Sequence, residues 1–543
     1  MNGWRKRWRG DPRQLQTEPQ ALQAAIAQVC RAVYIVDLDG RTAVTHLGTM
    51  VCGEDCADDQ TDLPLLGFAA PLDPSDLGDG SFKRDLGVRY AYVVGAMANG
   101  ITSVDMVMAA GKAGMVGFFG AGGLALTQVQ AAVHLLRDHR GNFPFGFNLI
   151  HSPNDPALEA AIVDLYLQNG IRLASASAYL GVTLPLVHYR VKGIHQAPDG
   201  RIICPNHIMA KVSRIEVARK FFAPPPEKIL EQLLHQGKIN RQEAQLARHI
   251  PLAQDMTAEA DSGGHTDNRP ALALLPTFLA LRDEAALQYN FQVPLRVGLA
   301  GGIATPAAVA AAFAMGAAFV LTGSINQSCV EADTSELVRN MLVQAQQADV
   351  TMAPSADMFE LGAKVQVLKR GTMFAMRGAK LYELYRAYAR YDEIPESTRR
   401  AIERDLLRCS FDQAWSQTCR YFQSRDVSQI ERAEKNPKHK MALVFRSYLG
   451  QSSLWAKTGD PDRQMDFQIW CGPAMGAFNA WAKGSFLEET DQRRTALLAL
   501  NLLYGATGLI RCHSLGLQGV CLPREATLFR PLSLDEIQRR LES

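Results

Sequence analysis

The sequence has almost no excess of either charge. Lys and Arg number 57 and Asp and Glu 55 in 543 residues, a formal net charge of +2. A chain this neutral is not built to blanket a nucleic-acid backbone, whose binding draws on a field of one sign. There is no cysteine framework either. The ten cysteines are scattered, the closest pair is Cys52 and Cys56, and no CxxC occurs. Isolated reduced thiols are expected rather than zinc or disulfides. The basic start Met1 to Gly10 is followed by no apolar run, so no secretion signal is expected and a cytoplasmic location follows by default. Repeats, low-complexity tracts and a Gly-x-Ser-x-Gly nucleophile elbow are also missing. The hydrophobic fraction of 47% supplies a large core and excludes global disorder.

One absence points the other way. No charged residue occurs between Arg296 and Glu331, a stretch longer than a transmembrane helix needs. Yet Gly298, Gly301, Gly302, Pro306, Gly316 and Gly323 interrupt it. Such punctuation suits strand, loop, helix and strand, with both strands buried on two faces. No membrane span is expected.

Short apolar runs alternate with helical stretches from about Val88. The strands expected are Tyr90–Val94, Gly114–Phe119, Phe145–Ile150, Ile171–Ser175, Ile208–Val212, Asp255–Ala260, Leu295–Leu299 and Ala318–Thr322. Eight strands alternating with helices spell an α/β fold, the TIM (β/α)₈ barrel. One barrel with flanking regions is expected rather than three or four independent domains: residues 1–85 as a leader with a β-hairpin turning at Asp39-Gly40, 86–375 as the barrel, and 376–543 as a mostly helical extension. A helical insertion spans about 223–250. It is placed on the functional loop side, as a lid or acyl-channel wall or as a packing ornament.

The chemistry is expected at strand ends. Ala300-Gly301-Gly302-Ile303 and Thr322-Gly323-Ser324 end the seventh and eighth strands. Glycines there let backbone N–H groups approach a phosphate, or make tight turns without a ligand. Glu259-Ala-Asp-Ser262-Gly263-Gly264-His265 follows the sixth strand, so His265 would point into the barrel mouth. Gly95-Ala96-Met97-Ala98 ends the first strand and suits packing on a planar ring, or a simple turn. Asn148 lies in the third strand. Lys211, in an otherwise apolar strand, needs an anion: a reduced ring system or a salt-bridge partner. No metal site is expected.

In their order these motifs resemble the FMN-dependent barrels of the nitronate monooxygenase and flavin enoyl reductase superfamily. Glu259 to Pro270, Ala356-Asp-Met-Phe-Glu360, Gly371-Thr-Met-Phe374 and Lys380-Leu-Tyr-Glu-Leu-Tyr385 are similar to one branch, the PfaD-type trans-acting enoyl reductases of polyunsaturated fatty acid and trans-acyltransferase polyketide synthases. The resemblance runs from about residue 60 to the C-terminus. It implies that Ala96, Met97, Asn148 and Lys211 contact FMN, that Ser262, Gly263 and Gly264 lie beside the flavin, and that Ala300, Gly301, Gly302, Gly323 and Ser324 hold its phosphate. His265 resembles the active-site histidine. The implied reaction is NADPH- or NADH-dependent reduction of an enoyl thioester on an acyl carrier protein. A carrier is the implied partner, with Arg432, Lys435, Lys438 and Lys440 as either a docking patch or a solvated loop. The aromatic-rich extension makes a homodimer the expected assembly. Rival readings are a nitronate monooxygenase-like oxidase, an inosine-monophosphate-dehydrogenase-like barrel needing a nucleophilic cysteine (Cys329 is the nearest), and a non-catalytic docking subunit.

Overall fold

Apolar runs of four to six residues bounded by glycine suit strands buried on both faces of a parallel sheet, open or closed, that helices cover. The computed structural model, which describes residues 5–53, 62–138, 143–151, 155–423 and 425–542, shows that sheet. Cys56 and residues 1–4 therefore lie outside the described residues. Five strands precede the barrel: β1 (Arg5–Arg9), β2 (Val33–Leu38), β3 (Arg41–Thr45), β4 (Thr49–Gly53) and β5 (Leu63–Ala69). They pair in the order β3-β2-β5-β1-β4. The expected hairpin is β2–β3, with Leu38 opposite Arg41. Asp39 and Gly40 both have positive φ, as the tightest hairpin turn requires.

The barrel strands are β6 (Tyr92–Val94), β7 (Val116–Phe119), β8 (Phe145–Ile150) and β9 (Leu173–Ser177), then, beyond a small hairpin of β10 (His195–Gln196) and β11 (Ile202–Ile203), β12 (His207–Val212) and β13 (Asp255–Glu259). Past the short β14 (Gly264–His265), β15 (Arg296–Ala300) and β16 (Val320–Thr322) complete it. They close in the order β12-β13-β15-β16-β6-β7-β8-β9, every pairing parallel. All eight expected strands are there, with ends shifted by one or two residues. Val93, Phe118, Leu173, Met209, Ala300 and Leu321 belong to one buried cluster, with Phe82 of the helix Gly80–Leu86. At the N-terminal end of the strands Arg296, 1% exposed, pairs with Asp255 at 2.6 Å and Asp85 at 2.7 Å. The charge-free stretch is β15, the helix Pro306–Ala314 and β16, and both strands are fully buried.

The insertion lies on the opposite side from the one expected. Its helices Glu227–His235 and Arg241–Ala247 follow the helix Ile215–Phe222 and precede β13. A helix-to-strand connection runs at the N-terminal face of a barrel, away from the strand ends that carry chemistry. Glu243 there accepts from the Gly193 amide at 2.7 Å and faces Lys192 at 3.6 Å. The insertion is packing on the stable face, not a lid or channel wall.

Beyond the barrel the chain adds β17 (Val350–Pro354) and β18 (Lys364–Leu368), neither of which was expected from the sequence. They form a three-stranded sheet with the loop after β13, in the order β14-β18-β17. The helices Phe374–Ala387, Phe411–Gln423 and Pro437–Thr458 then share a second core around Phe359, Leu381, Phe445 and Leu449, and the helix Val427–Lys435 packs on the last two of them. Among the described residues one helix, Thr495–Leu517, is long and apolar enough to cross a membrane, but most of it is buried. It packs on the helix Pro306–Ala314 and on β5. Its Arg511 donates to the carbonyls of Ile26, Gln28 and Ala70 at 3.0–3.2 Å, tying the leader to the extension.

Candidate functional site

The C-terminal ends of the strands bring together what the sequence scattered. The loop after β6 is held by the Thr102 hydroxyl and by backbone bonds. Thr102 Oγ1 donates to the Gly95 carbonyl and accepts from the Met97 amide, each at 2.8 Å, and the Gly100 amide donates to Gly120 at 2.8 Å. This presents Ala96 and Met97 at the rim, both half-buried. On β8, Asn148 is buried and its amide donates to the Ser175 carbonyl at 3.0 Å and to Ser177 Oγ at 3.2 Å.

Lys211 on β12 meets Glu259 on β13, Nζ to Oε1 at 2.8 Å, with both side chains more than four-fifths buried. The anion that a lysine in an apolar strand demands is thus a protein carboxylate at the mouth. Ser262 Oγ donates to the same carboxylate oxygen at 3.4 Å.

The loop after β13 is clamped from two sides. Gln366 of β18 donates to Asp261 Oδ1 at 2.8 Å and to the Ser262 carbonyl at 2.9 Å. Cys471 and Gly472 lie directly over Gly263: a Cβ there would stand 2.9 Å from the Cys471 nitrogen. The Gly472 amide in turn donates to Ser324 Oγ at 3.0 Å. The apolar segment near Trp470 therefore forms a strap across the mouth, between the β13 loop and the β16 end. Gly264 has φ +79, which turns the chain into β14.

His265 does lie at the mouth, held by residues that were not expected at the site. Its Nε2 is 3.1 Å from Ser355 Oγ and 3.2 Å from Asp357 Oδ1, and Ser355 and Asp357 also bond each other. Nδ1 makes no hydrogen bond among the described residues. The side chain is 42% exposed, so a ligand can reach it. Burial opposes the imidazolium, but the hydrogen bond and charge of Asp357, with Glu259 beyond, outweigh burial and the repulsion of Lys211. His265 therefore keeps its proton above the usual histidine pKa. Burial likewise opposes the Asp357 carboxylate, and bonding to His265 and Ser355 overrides it, so Asp357 stays ionised far below its usual range.

Ala300 is buried at the end of β15, and Gly301 presses on Ala260 and Asp261, where a Cβ would lie 2.7–2.8 Å from backbone atoms. Gly302 and Gly323 differ: a Cβ at either would meet nothing within 4 Å. They line open space beside Ser324, at adjacent strand ends. Beneath this mouth the hydroxyls of Ser175 and Thr257 are buried without a hydrogen-bond partner among the described residues. An open double-glycine cradle, a lysine and two unsatisfied hydroxyls fit a phosphate-bearing planar cofactor. Cys329 is fully buried and burial pushes its thiol far up, which suits no nucleophile. Glu259, Ser355, Asp357, Gln366 and Gly472 were missed as site residues. Glu259 and Asp357 carried a sequence signal, their places in Glu259–Pro270 and Ala356–Glu360. The basic residues 432–440 sit on the helices Val427–Lys435 and Pro437–Thr458 rather than in a loop. Lys440 lies over the Trp415 ring at 5.3 Å and Lys438 over Tyr385 at 5.0 Å.

Residues 81–370, more than half the chain, match the nitronate monooxygenase family. Residues 388–467 match the inserted helical domain of [acyl-carrier-protein] S-malonyltransferase. The polyketide biosynthesis protein PksE of Bacillus subtilis is 45% identical over 435 residues, 80% of this chain and 56% of that protein. A polyunsaturated fatty acid synthase polypeptide of Thraustochytrium sp. is 44% identical over 452 residues, 82% of this chain and 30% of that protein. The chain thus spans between about a third and about half of the length of these curated relatives. Among solved structures, the enoyl reductase domain of MlnA from the macrolactin biosynthesis cluster of Bacillus amyloliquefaciens superposes with a TM-score of 0.78 at 39% identity, over 81% of this chain and 99% of that one. Barrel and matched relatives agree: the chain belongs to the nitronate monooxygenase family, in its branch of PfaD-type enoyl reductases of polyketide and polyunsaturated fatty acid synthases.

Proposed function

We propose that this chain is a trans-acting, FMN-dependent enoyl reductase that uses NADPH or NADH to reduce the α,β double bond of an enoyl thioester on an acyl carrier protein. The observation that carries this reading is His265, hydrogen-bonded to Asp357 and exposed at a mouth whose glycines leave room for a phosphate. FMN bound there would supply hydride transfer from the nicotinamide to the β-carbon of the acyl chain.

The protein's own part is placement and proton supply. Backbone N–H groups at Gly301, Gly302, Gly323 and Ser324 would hold the phosphate. Lys211 would set a positive charge against the ring, with Glu259 limiting how far that charge is felt. Asn148 and Met97 would flank the ring. The strap at Cys471 and Gly472 would cover the Gly263 side of the mouth and limit water there. His265 holds a proton at the unbonded Nδ1 for the α-carbon, while Asp357 holds Nε2 and fixes the ring. A homodimer, a cytoplasmic location and a carrier protein as partner belong to the same reading.

Anaerobic mixing of the flavin-loaded protein with NADPH is the test. Rapid bleaching, followed by recolouring when an enoyl carrier thioester is added, is the expected result. Bleaching absent with NADPH but present with a nitroalkane would establish the oxidase reading instead, and a colourless protein that takes up no FMN would establish the docking reading.

A further inference from the structure

Arg446 lies in the middle of the helix Pro437–Thr458, with its side chain 18% exposed. Its Nε donates to the Ala356 carbonyl at 2.8 Å, and its Nη1 donates to Glu360 Oε1 at 3.2 Å. Ala356 stands between Ser355 and Asp357, the two residues that meet His265 Nε2. The turn they occupy is closed by the Ser355 amide on the Ala363 carbonyl at 2.9 Å and anchored by the fully buried Phe359. His439, about two turns before Arg446, faces Glu360 at 3.8 Å and bonds Gln429 through Nε2 at 3.0 Å.

The helix is fixed to the barrel at its far end. Ser453 Oγ accepts from Asn99 at 3.1 Å, and Lys457 donates to the Asn99 carbonyl at 2.6 Å and pairs with Asp333 at 2.7 Å. Asn99 belongs to the loop after β6. Eleven residues of helix separate Arg446 from Lys457, about 16 Å of rigid rod. One helix thus braces two sides of the mouth.

We infer that Arg446 is a positioning residue for His265: it holds the turn at Ala356 so that Asp357 stays against Nε2. The inference rests on the enoyl reductase reading above. A guanidinium can grip a carbonyl and a carboxylate at once in a fixed plane, and a lysine ammonium cannot. Without that grip Asp357, on an exposed turn, samples positions away from the imidazole. The charged groups facing His265 are Asp357 from the turn, Glu259 from β13 and Lys211 from β12. Only the first is under Arg446's control. Arg446 itself faces Glu360, and the His439 beside that carboxylate also feels Arg432.

The test uses the full chain loaded with FMN and compares wild type with Arg446→Met and Arg446→Lys, each also in a His265→Gln background. His265 is titrated by NMR of histidine-labelled protein, the His265→Gln variant assigning the signal. The His265 pKa is expected to fall in Arg446→Met, with Arg446→Lys in between. Turnover at pH 8 should drop about tenfold, while NADPH-driven bleaching stays within about twofold of wild type. In the His265→Gln background, Arg446→Met should cost less than about twofold more, because the two residues act as one unit. An unchanged His265 pKa in Arg446→Met, or an undiminished cost in the double variant, overturns the inference. If Arg446→Met does not fold, Arg446→Lys and Glu360→Gln carry the same comparison. A wild-type protein that reduces no enoyl thioester sinks the functional reading, while the NMR titration still decides the role of Arg446.

Discussion

Gly263→Ala tests the strap. An alanine Cβ would stand 2.9 Å from the Cys471 nitrogen and 3.0 Å from its Cα and carbonyl carbon. Comfortable contact begins at about 3.5 Å, so loop or strap must retreat by about 0.5 Å or more. Neither is free to do so. The strap is pinned by the Gly472 amide on Ser324 at 3.0 Å and the Cys471 amide on Gln366 at 3.3 Å, and the loop by Gln366 on Ser262 at 2.9 Å. Overpacking of this kind costs about 1–3 kcal/mol. The displacement reaches His265, two residues on. A shift of about 1 Å at a reacting group costs up to about 10²-fold, so kcat/KM for enoyl reduction should fall by about 10- to 100-fold. Urea unfolding followed by tryptophan fluorescence measures the first effect, and single-turnover reduction of an enoyl carrier thioester the second. Gly450→Ala is the control. Its Cβ meets nothing within 4 Å and it lies in a helix interior, where alanine is favoured by about 0.5–1 kcal/mol. Wild-type stability and turnover in Gly263→Ala would refute the close approach of strap and loop.

Four further outcomes are expected. Asp357→Asn removes the charge that raises the His265 pKa, so the decline of kcat with rising pH should begin at lower pH than in wild type. The sign for stability is the same: the His265 contribution is whole below the unfolded histidine pKa of about 6.5 and is lost as pH rises through the raised folded value, and Asp357→Asn should abolish that dependence. Lys211→Met should weaken FMN binding by about 10- to 100-fold in a fluorescence titration, since it removes a charged donor and leaves the Glu259 carboxylate facing the ring; unchanged affinity would count against a flavin contact. His265→Ala should keep FMN bound and lose about 10²- to 10⁴-fold in enoyl reduction; wild-type turnover would end its candidacy as the acid. Arg296→Met leaves Asp255 buried and unpaired at the other end of the barrel and should cost about 3–5 kcal/mol in chemical unfolding, with FMN affinity of the folded protein unaltered.

The barrel was legible because its strands are short buried runs ended by glycine or followed by a helix cap. Each of those signals is local. Arg296 to Glu331 lost its membrane-like look once the glycines and Pro306 were read as turns, and the structure has strand, helix and strand there. β17 and β18 escaped because Val350–Pro354 and Lys364–Leu368 are strands only by virtue of pairing with each other and with the His265 loop. The insertion was assigned to the wrong face although its order, after a helix and before a strand, fixes the N-terminal side. Lys211 announced a need for an anion, but several carboxylates could have met it, and the register of β12 on β13 selects Glu259.

By itself, then, the sequence determined the alternation of strands and helices, the glycine turns at the strand ends and the histidine beside them. These depend on burial and backbone freedom over a few residues. Only the tertiary structure decided what surrounds that histidine. Asp357 is 92 residues from His265, and Cys471 is farther still from Gly263. Such meetings are set by how a barrel, a small sheet and a bracing helix pack together, and no local pattern encodes them.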